Sequence, residues 1–191
     1  MPAVGLSLPH VKTTSMPFHP TPIPDLLIFE PRIFNDSRGY FFEAYNEKTF
    51  EEAGITARFV QDNQAASTKG VLRGMHRQLG DDAQTKLVRV ISGEVYDVAV
   101  DLRPASPTRY QWHGVYLSGD NQRQLFVPRG FAHGYLVTSE SAVFAYKCDN
   151  FYAPNSEEGI CYDDPKIGIE WPEVAGGYHV AERDTQWERL K

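Results

Sequence analysis

Two short stretches of the chain concentrate groups that can move protons and hold anions: Val71-Leu72-Arg73-Gly74-Met75-His76 and Val127-Pro128-Arg129-Gly130-Phe131-Ala132-His133-Gly134. Each brings arginine, glycine and histidine close together at a strand-like run. Imidazole is the side chain whose ordinary pKa lies nearest neutrality, so it can take or give a proton at physiological pH. Guanidinium presents a fixed fork of donors that matches phosphate oxygens. Together they point to proton chemistry on a phosphorylated substrate. Lys86 opens the apolar run Lys86-Leu87-Val88-Arg89-Val90 ten residues after His76. A histidine beside Arg73 and Lys86 is held neutral, as a general base must be. Cations without an anionic partner are costly to bury, and a ligand is their natural complement. Alone, His76 would read equally well as a core imidazole.

Tyr146 lies on the alternating run Ala142-Val143-Phe144-Ala145-Tyr146-Lys147-Cys148, sharing a face with Phe144 and Cys148 and opposing Lys147. It fits either a core tyrosine or a proton donor, and Tyr152 competes for the same part. Arg38 and Glu43 flank a strand start, and Gln61-Asp62-Asn63 is a compact polar cluster. Such side chains suit the edge of a base or sugar, and equally a turn. Pro128-x-Gly130-x-x-His133 resembles the second motif of cupin jelly rolls. Metal cupins carry a His-x-His pair in the first motif, where this chain has His76-Arg77-Gln78, so no metal site is expected.

The elements that must hold these groups read as short strands and turns. Strands are expected over residues 26–30, 40–45, 115–117, 124–127, 134–138 and 142–148, with another starting at 59–61. In Tyr96, Val98, Val100 and Leu102, alternating with Asp97, Ala99 and Asp101, the period of two marks a half-buried strand. Asn46 caps a brief helix over 47–53 that Gly54 ends, and a second short helix is expected over 181–190. Prolines at 2, 9, 17, 20, 22 and 24 make residues 1–24 an extended or flexible arm, followed by one domain over 25–191. Many short strands with frequent turns favour a sandwich or barrel.

The chain has 191 residues and a net charge of −6, which argues against non-specific nucleic-acid binding. No apolar run reaches the length of a membrane span, and the N-terminus lacks the pattern of a signal peptide. Two cysteines, Cys148 and Cys161, are too few for a disulfide scaffold and suit a cytoplasmic protein.

The ordered motifs resemble the dTDP-4-dehydrorhamnose 3,5-epimerases. They are Asp36-x-Arg38-Gly39-Tyr40-Phe41-x-Glu43, Gln61-Asp62-Asn63, Arg73-Gly74-Met75-His76, Gln84-Thr85-Lys86-Leu87-Val88, Pro128 to Gly134, Tyr146-Lys147, and Asp164-Pro165 with Ile169-Glu170-Trp171-Pro172. The resemblance implies an all-β, cupin-type jelly roll with short peripheral helices. It further implies a homodimer that needs no metal or cofactor and acts on a dTDP-linked 4-keto-6-deoxyhexose. By motif, His76 would remove the proton beside the ketone, Asp184 would orient it, Lys86 would stabilise the enolate and Tyr146 would deliver a proton from the opposite face. Arg38, Glu43, Gln61, Asn63, Arg73, His133, Glu157 and Arg183 would line the substrate site, some of them reaching across from the other subunit. The chain departs from the family pattern at Gln64-Ala65-Ala66-Ser67, where His-Ser-Arg-Ser is common, at Arg77, where an aromatic is usual, and at Arg183, where lysine is frequent. Whether C3, C5 or both are inverted stays open. So do a 3,4-ketoisomerase, a non-catalytic nucleotide-sugar-binding cupin and a metal-dependent dioxygenase cupin.

Overall fold

The computed structural model describes residues 17–190. In chain order the elements are β1 (Phe18–Pro20), β2 (Leu27–Phe29), β3 (Ile33–Asp36), β4 (Gly39–Phe42), α1 (Glu47–Glu52), β5 (Gln61–Thr68), β6 (Val71–Gln78), β7 (Lys86–Ser92), β8 (Glu94–Asp101), β9 (Trp112–Ser118), β10 (Gln124–Val127), β11 (Phe131–Val137), β12 (Ser141–Cys148), β13 (Glu157–Gly159), β14 (His179–Val180) and α2 (Glu182–Thr185). One sheet runs β1-β2-β10-β7-β12-β5, and a second runs β13-β6-β11-β8-β9 with β14 parallel to β6. The hairpin β3–β4 stands apart from both. Two mostly antiparallel sheets with two short helices make a cupin-type jelly roll.

Inward faces are set by register. Along β7, Lys86, Val88 and Val90 pair across to Cys148, Tyr146 and Phe144 of β12, and directly opposed residues share a face. Each strand therefore starts polar at one end of the sandwich and turns apolar towards the other. At the apolar end Val88, Val90, Leu125, Val127 and Phe144 of the first sheet pack on Val95, Ala99, Val115, Leu117 and Val137 of the second. At the polar end the sheets leave space between them.

Strand β8 departs from its expected half-buried form. Its apolar set does not face the core between the sheets. Instead Val98, Val100 and Leu102, with Tyr96, pack against Met75, Ile160, Ile167 and Trp171 of a layer supplied largely by the C-terminal segment. The Asp97, Ala99 and Asp101 set faces inward, and all three are fully buried. A buried carboxylate must be compensated. Asp101 accepts from Arg103 Nη2 at 2.8 Å, Thr108 Oγ1 at 2.8 Å and Ser106 Oγ at 2.5 Å. Burial alone would raise its pKa, but bonds from the Arg103 side chain, Ser106, the Arg103 amide and Thr108 outweigh it and hold the carboxyl far below the usual range. A depressed folded-state pKa contributes stability above the unfolded value that is lost as pH falls. Asp101→Asn is therefore expected to cost about 2 kcal/mol at pH 7. In thermal melts the gap to wild type should narrow steadily below about pH 4; a gap that does not change with pH would refute the linkage.

Part of the segment expected as an extended or flexible arm over residues 1–24 is built into the fold. Phe18–Pro20 is strand, pairing Phe18 with Phe29, and Ile23 is buried in the core. Pro20 takes the strand's last position on a sheet edge, where its missing N–H costs no ladder bond. Residues 1–16 lie outside the described residues. The second helix is shorter than 181–190, only Glu182–Thr185. Asn46 caps α1 as expected, its side chain accepting from the Lys48 and Thr49 amides.

Candidate active site

The two sequence clusters meet in space. His76 on β6 and His133 on β11 are direct cross-strand partners. The ladder then slips: His133 and Tyr135 are two residues apart, while their partners His76 and Arg73 are three apart. This bulge lets Arg73 and His76 both serve the inward face, which strict alternation would forbid. Glycine makes it feasible. Gly74 has φ +130°, and a Cβ there would sit 2.6 Å from Gly134 Cα and 2.9 Å from the His133 carbonyl oxygen. Gly134 is equally hemmed, with the Arg73 carbonyl oxygen 2.7 Å from a built Cβ. The Arg-Gly-x-His cluster and the Ala-His-Gly cluster are thus packed glycine on glycine.

The space between the sheets forms two adjoining lobes that share His76, Lys86, Tyr146 and Arg183. One, of about 510 Å³, is walled further by Arg73, His133, Tyr135, Phe144 and Asp184. The other, of about 340 Å³, is walled by Gln61, Asn63, Gln78, Tyr152 and Glu157. His76 stands on the second sheet, and Tyr146 and Lys86 stand on the first. Base and acid candidates therefore face one cavity from opposite walls.

His76 Nε2 lies 2.8 Å from Oδ1 of Asp184, a residue only 2% exposed. Burial would raise the Asp184 pKa. The His76 hydrogen bond and charge, the Gly74 amide and Arg183 outweigh it and bring the carboxyl below its ordinary value. An ionised Asp184 accepts from Nε2–H, which leaves Nδ1 as the free base of the ring. Trp187 meets the imidazole edge-on, with centroids 6.0 Å apart, and covers Gly159, where a Cβ would fall 2.4 Å from the indole. Burial lowers the Lys86 pKa against the opposing pull of Cys148, Glu157 and Asp97. Burial raises that of Tyr146, so the phenol keeps its proton at neutral pH.

His133 differs from His76. Its Nε2 is committed to Asp97, 2.9 Å and 3.0 Å from the two carboxylate oxygens, and it is 7% exposed. Gln61 Nε2 donates to Asn63 Oδ1 at 3.1 Å, and the Tyr152 amide donates to Gln61 Oε1 at 3.0 Å. Glu157 accepts from Tyr152 Oη at 3.2 Å and Arg183 Nη1 at 3.5 Å. Arg38 and Glu43 are not brought to this cavity within the chain. Arg38 is held to Asp36 on the exposed hairpin, and Glu43 follows it in solvent. Arg77, the departure after His76, borders the smaller lobe, but its guanidinium is turned to Glu158, with which it pairs, and donates to the Leu102 and Gly130 carbonyls. Three residues escaped the sequence reading: Asp97, Trp187 and Tyr135. Asp97 belongs to one set of an alternating strand whose period does not say which face is inside; nothing local marks the other two.

The family profile described as dTDP-4-dehydrorhamnose 3,5-epimerase matches residues 20–191. A Shigella flexneri protein of that name is 58% identical over 153 residues, covering 80% of this chain and 84% of its own. The crystal structure of a dTDP-6-deoxy-D-glucose-3,5-epimerase from Legionella pneumophila Philadelphia 1, in complex with dTDP-4-keto-L-rhamnose, has a TM-score of 0.87 at 50% identity, covering 90% of this chain and 91% of that one. The dTDP-4-dehydrorhamnose 3,5-epimerase of Elizabethkingia anophelis NUHP1 also scores 0.87, at 48% identity, with 91% and 95% covered. The sequence, its two-sheet fold and its histidine-lined cavity agree: the chain belongs to the dTDP-4-dehydrorhamnose 3,5-epimerase family.

Proposed function

We propose that this protein is an isomerase that inverts a dTDP-linked 4-keto-6-deoxyhexose at carbon next to the ketone, C3, C5 or both, in deoxysugar biosynthesis. The observation that carries this reading is the stance of His76 and Tyr146 on opposite walls of one cavity, with Lys86 beside Tyr146. His76 Nδ1 takes the proton from the carbon beside the carbonyl, and the C–H electron pair becomes the enolate. Lys86 faces the developing oxyanion as a fixed cation, which costs no reorganisation at the moment of reaction. Tyr146 then gives its phenolic proton to the opposite face of the same carbon, which inverts it. The imidazolium loses its proton to solvent and the phenolate regains one, so the cycle closes without a net proton. Asp184 keeps the imidazole in the productive tautomer and supports its charge while it carries the proton.

Arg38 and Glu43 suggest how the site is completed. The hairpin that carries Arg38 exposes the cross-strand pair Phe34 and Phe41, at 49% and 69%, an apolar surface left largely uncovered among the described residues. In our reading two copies form a homodimer, and each hairpin reaches the other's cavity. Sedimentation at micromolar concentration should give a dimer. The free, buried Cys148 and Cys161 fit the reducing cytoplasm, and no helix among the described residues is long and apolar enough to cross a membrane.

Turnover of the dTDP-4-keto-6-deoxyglucose in D2O tests the reaction. Deuterium is expected at C3, at C5 or at both, with the ketone still at C4 by carbon NMR. Absence of exchange at either carbon refutes epimerisation, and a ketone moved to C3 indicates the ketoisomerase instead.

A further inference from the structure

Tyr135 sits on β11 two residues past His133, inward-facing and opposite Asp97 of β8 and Arg73 of β6. It is 5% exposed, and its ring stacks on Phe144 with centroids 4.1 Å apart and planes 18° apart. The ring alone explains the packing; phenylalanine would fill the same volume. The hydroxyl does not. Among the described residues it is one of two fully buried side-chain polar atoms that make no hydrogen bond of good geometry, the other being Trp187 Nε1, although Ser67 and Arg73 stand close enough to act on the phenol. A buried donor without an acceptor is a standing cost that native proteins seldom carry without a use.

The surroundings indicate the use. Tyr135 lines the 510 Å³ lobe together with Arg73, Lys86 and His133. Ser67 and Arg73 stand beside its hydroxyl. Arg73 Nε and Nη2 each donate to Ser67 Oγ at 3.2 Å, and the guanidinium enters no ion pair among the described residues. Burial pushes the Tyr135 phenol upward, against weaker pulls from Ser67 and Arg73, so it remains a donor at neutral pH. A phenol and a guanidinium without an ion-pair partner meet at one end of the cavity, with the Ser67 hydroxyl beside the guanidinium, and all three can donate to an acceptor-rich anion.

We infer that Tyr135 is a binding residue whose buried hydroxyl donates to a phosphate oxygen of the nucleotide sugar, beside Arg73 and Ser67. The assignment rests on the nucleotide-sugar reading above. It makes the hydroxyl costly in the free protein and useful only in the complex, so deleting it should have opposite effects on the two states.

Tyr135→Phe, which keeps the ring and its stack on Phe144, tests this with dTDP as the probe. Thermal melts without ligand should give a Tm equal to or above wild type. Calorimetric titration should give a Kd for dTDP raised about ten-fold or more, the loss typical of a hydrogen bond to a charged group. In turnover KM should rise while kcat stays within about three-fold of wild type, as for a contact made equally in ground and transition states. An unchanged Kd overturns the assignment, and so does a lower Tm in the free variant, which would make the hydroxyl structural. Wild type is measured alongside. If it exchanges substrate hydrogen in D2O but the variant binds dTDP equally well, only the role of Tyr135 fails. If it binds dTDP without exchange, epimerisation fails while Tyr135 is still judged on Kd. If it binds no dTDP, both fall.

Discussion

His76→Asn should lower epimerisation by about 10³-fold and leave the fold and dTDP binding intact. Asparagine can still donate to Asp184 from its amide, so the buried carboxylate is not abandoned. What it lacks is a basic nitrogen. The ring's Nε2 is bound to Asp184 at 2.8 Å, and the opposite nitrogen is the atom left to take the proton. Asp184→Asn should follow the same course with a smaller loss, about 10²-fold, because it spoils the tautomer and the charge support without removing the base. Both are read by NMR turnover assays together with dTDP titration and thermal melts. Retention of turnover within ten-fold by His76→Asn would remove His76 from the base role. A parallel fall in Tm would instead make the pair a structural one.

Gly74→Ala should be severely damaging for a single added methyl. The added Cβ would lie 2.6 Å from Gly134 Cα and 2.9 Å from the His133 carbonyl oxygen. Both are backbone atoms, so no side-chain rotation relieves the overlap, and the strands must part. The φ of +130° adds its own penalty. We expect a loss of at least about 3 kcal/mol, or a Tm drop of roughly 10 °C. Activity should fall further than the folded fraction does, because the same bulge aligns Arg73 with His76. Gly176→Ala is the control: its φ is +92°, yet nothing lies within 4 Å of a built Cβ. It should cost only about 1–2 kcal/mol of backbone strain. Equal losses at the two sites would mean that steric overlap between the two motifs contributes nothing.

Much of this architecture was legible because it is local. The strand expected over 124–127 is β10 itself, and that over 142–148 is β12 to within one residue, since short apolar runs bounded by turn residues are patterns of neighbours. Asn46 could be placed as a cap because its partners are two and three residues away. The pairing of chemistry-bearing types around His76 and His133 was equally open to reading, since arginine, glycine and histidine crowd within a few residues. Less local features went astray. The proline-rich start hid β1, because Phe18 gains its stability from rings far along the chain: Phe29 at 4.9 Å and Phe50 at 4.9 Å between centroids.

By itself, then, the sequence determined which residues alternate, where turns fall, and which side chains could carry protons or bind phosphate. Tertiary structure alone decided which face of an alternating strand is inside. Period two separates the faces of β8 but cannot say what covers each one. A C-terminal segment with Ile160, Ile167 and Trp171 covers the apolar face, and this turns Asp97 inward to meet His133 and Asp101 inward to meet Arg103. The same holds for Tyr135, whose hydroxyl has meaning only beside Ser67 and Arg73. Burial and partnership are properties of surfaces brought together from distant parts of the chain, and no window of neighbouring residues contains them.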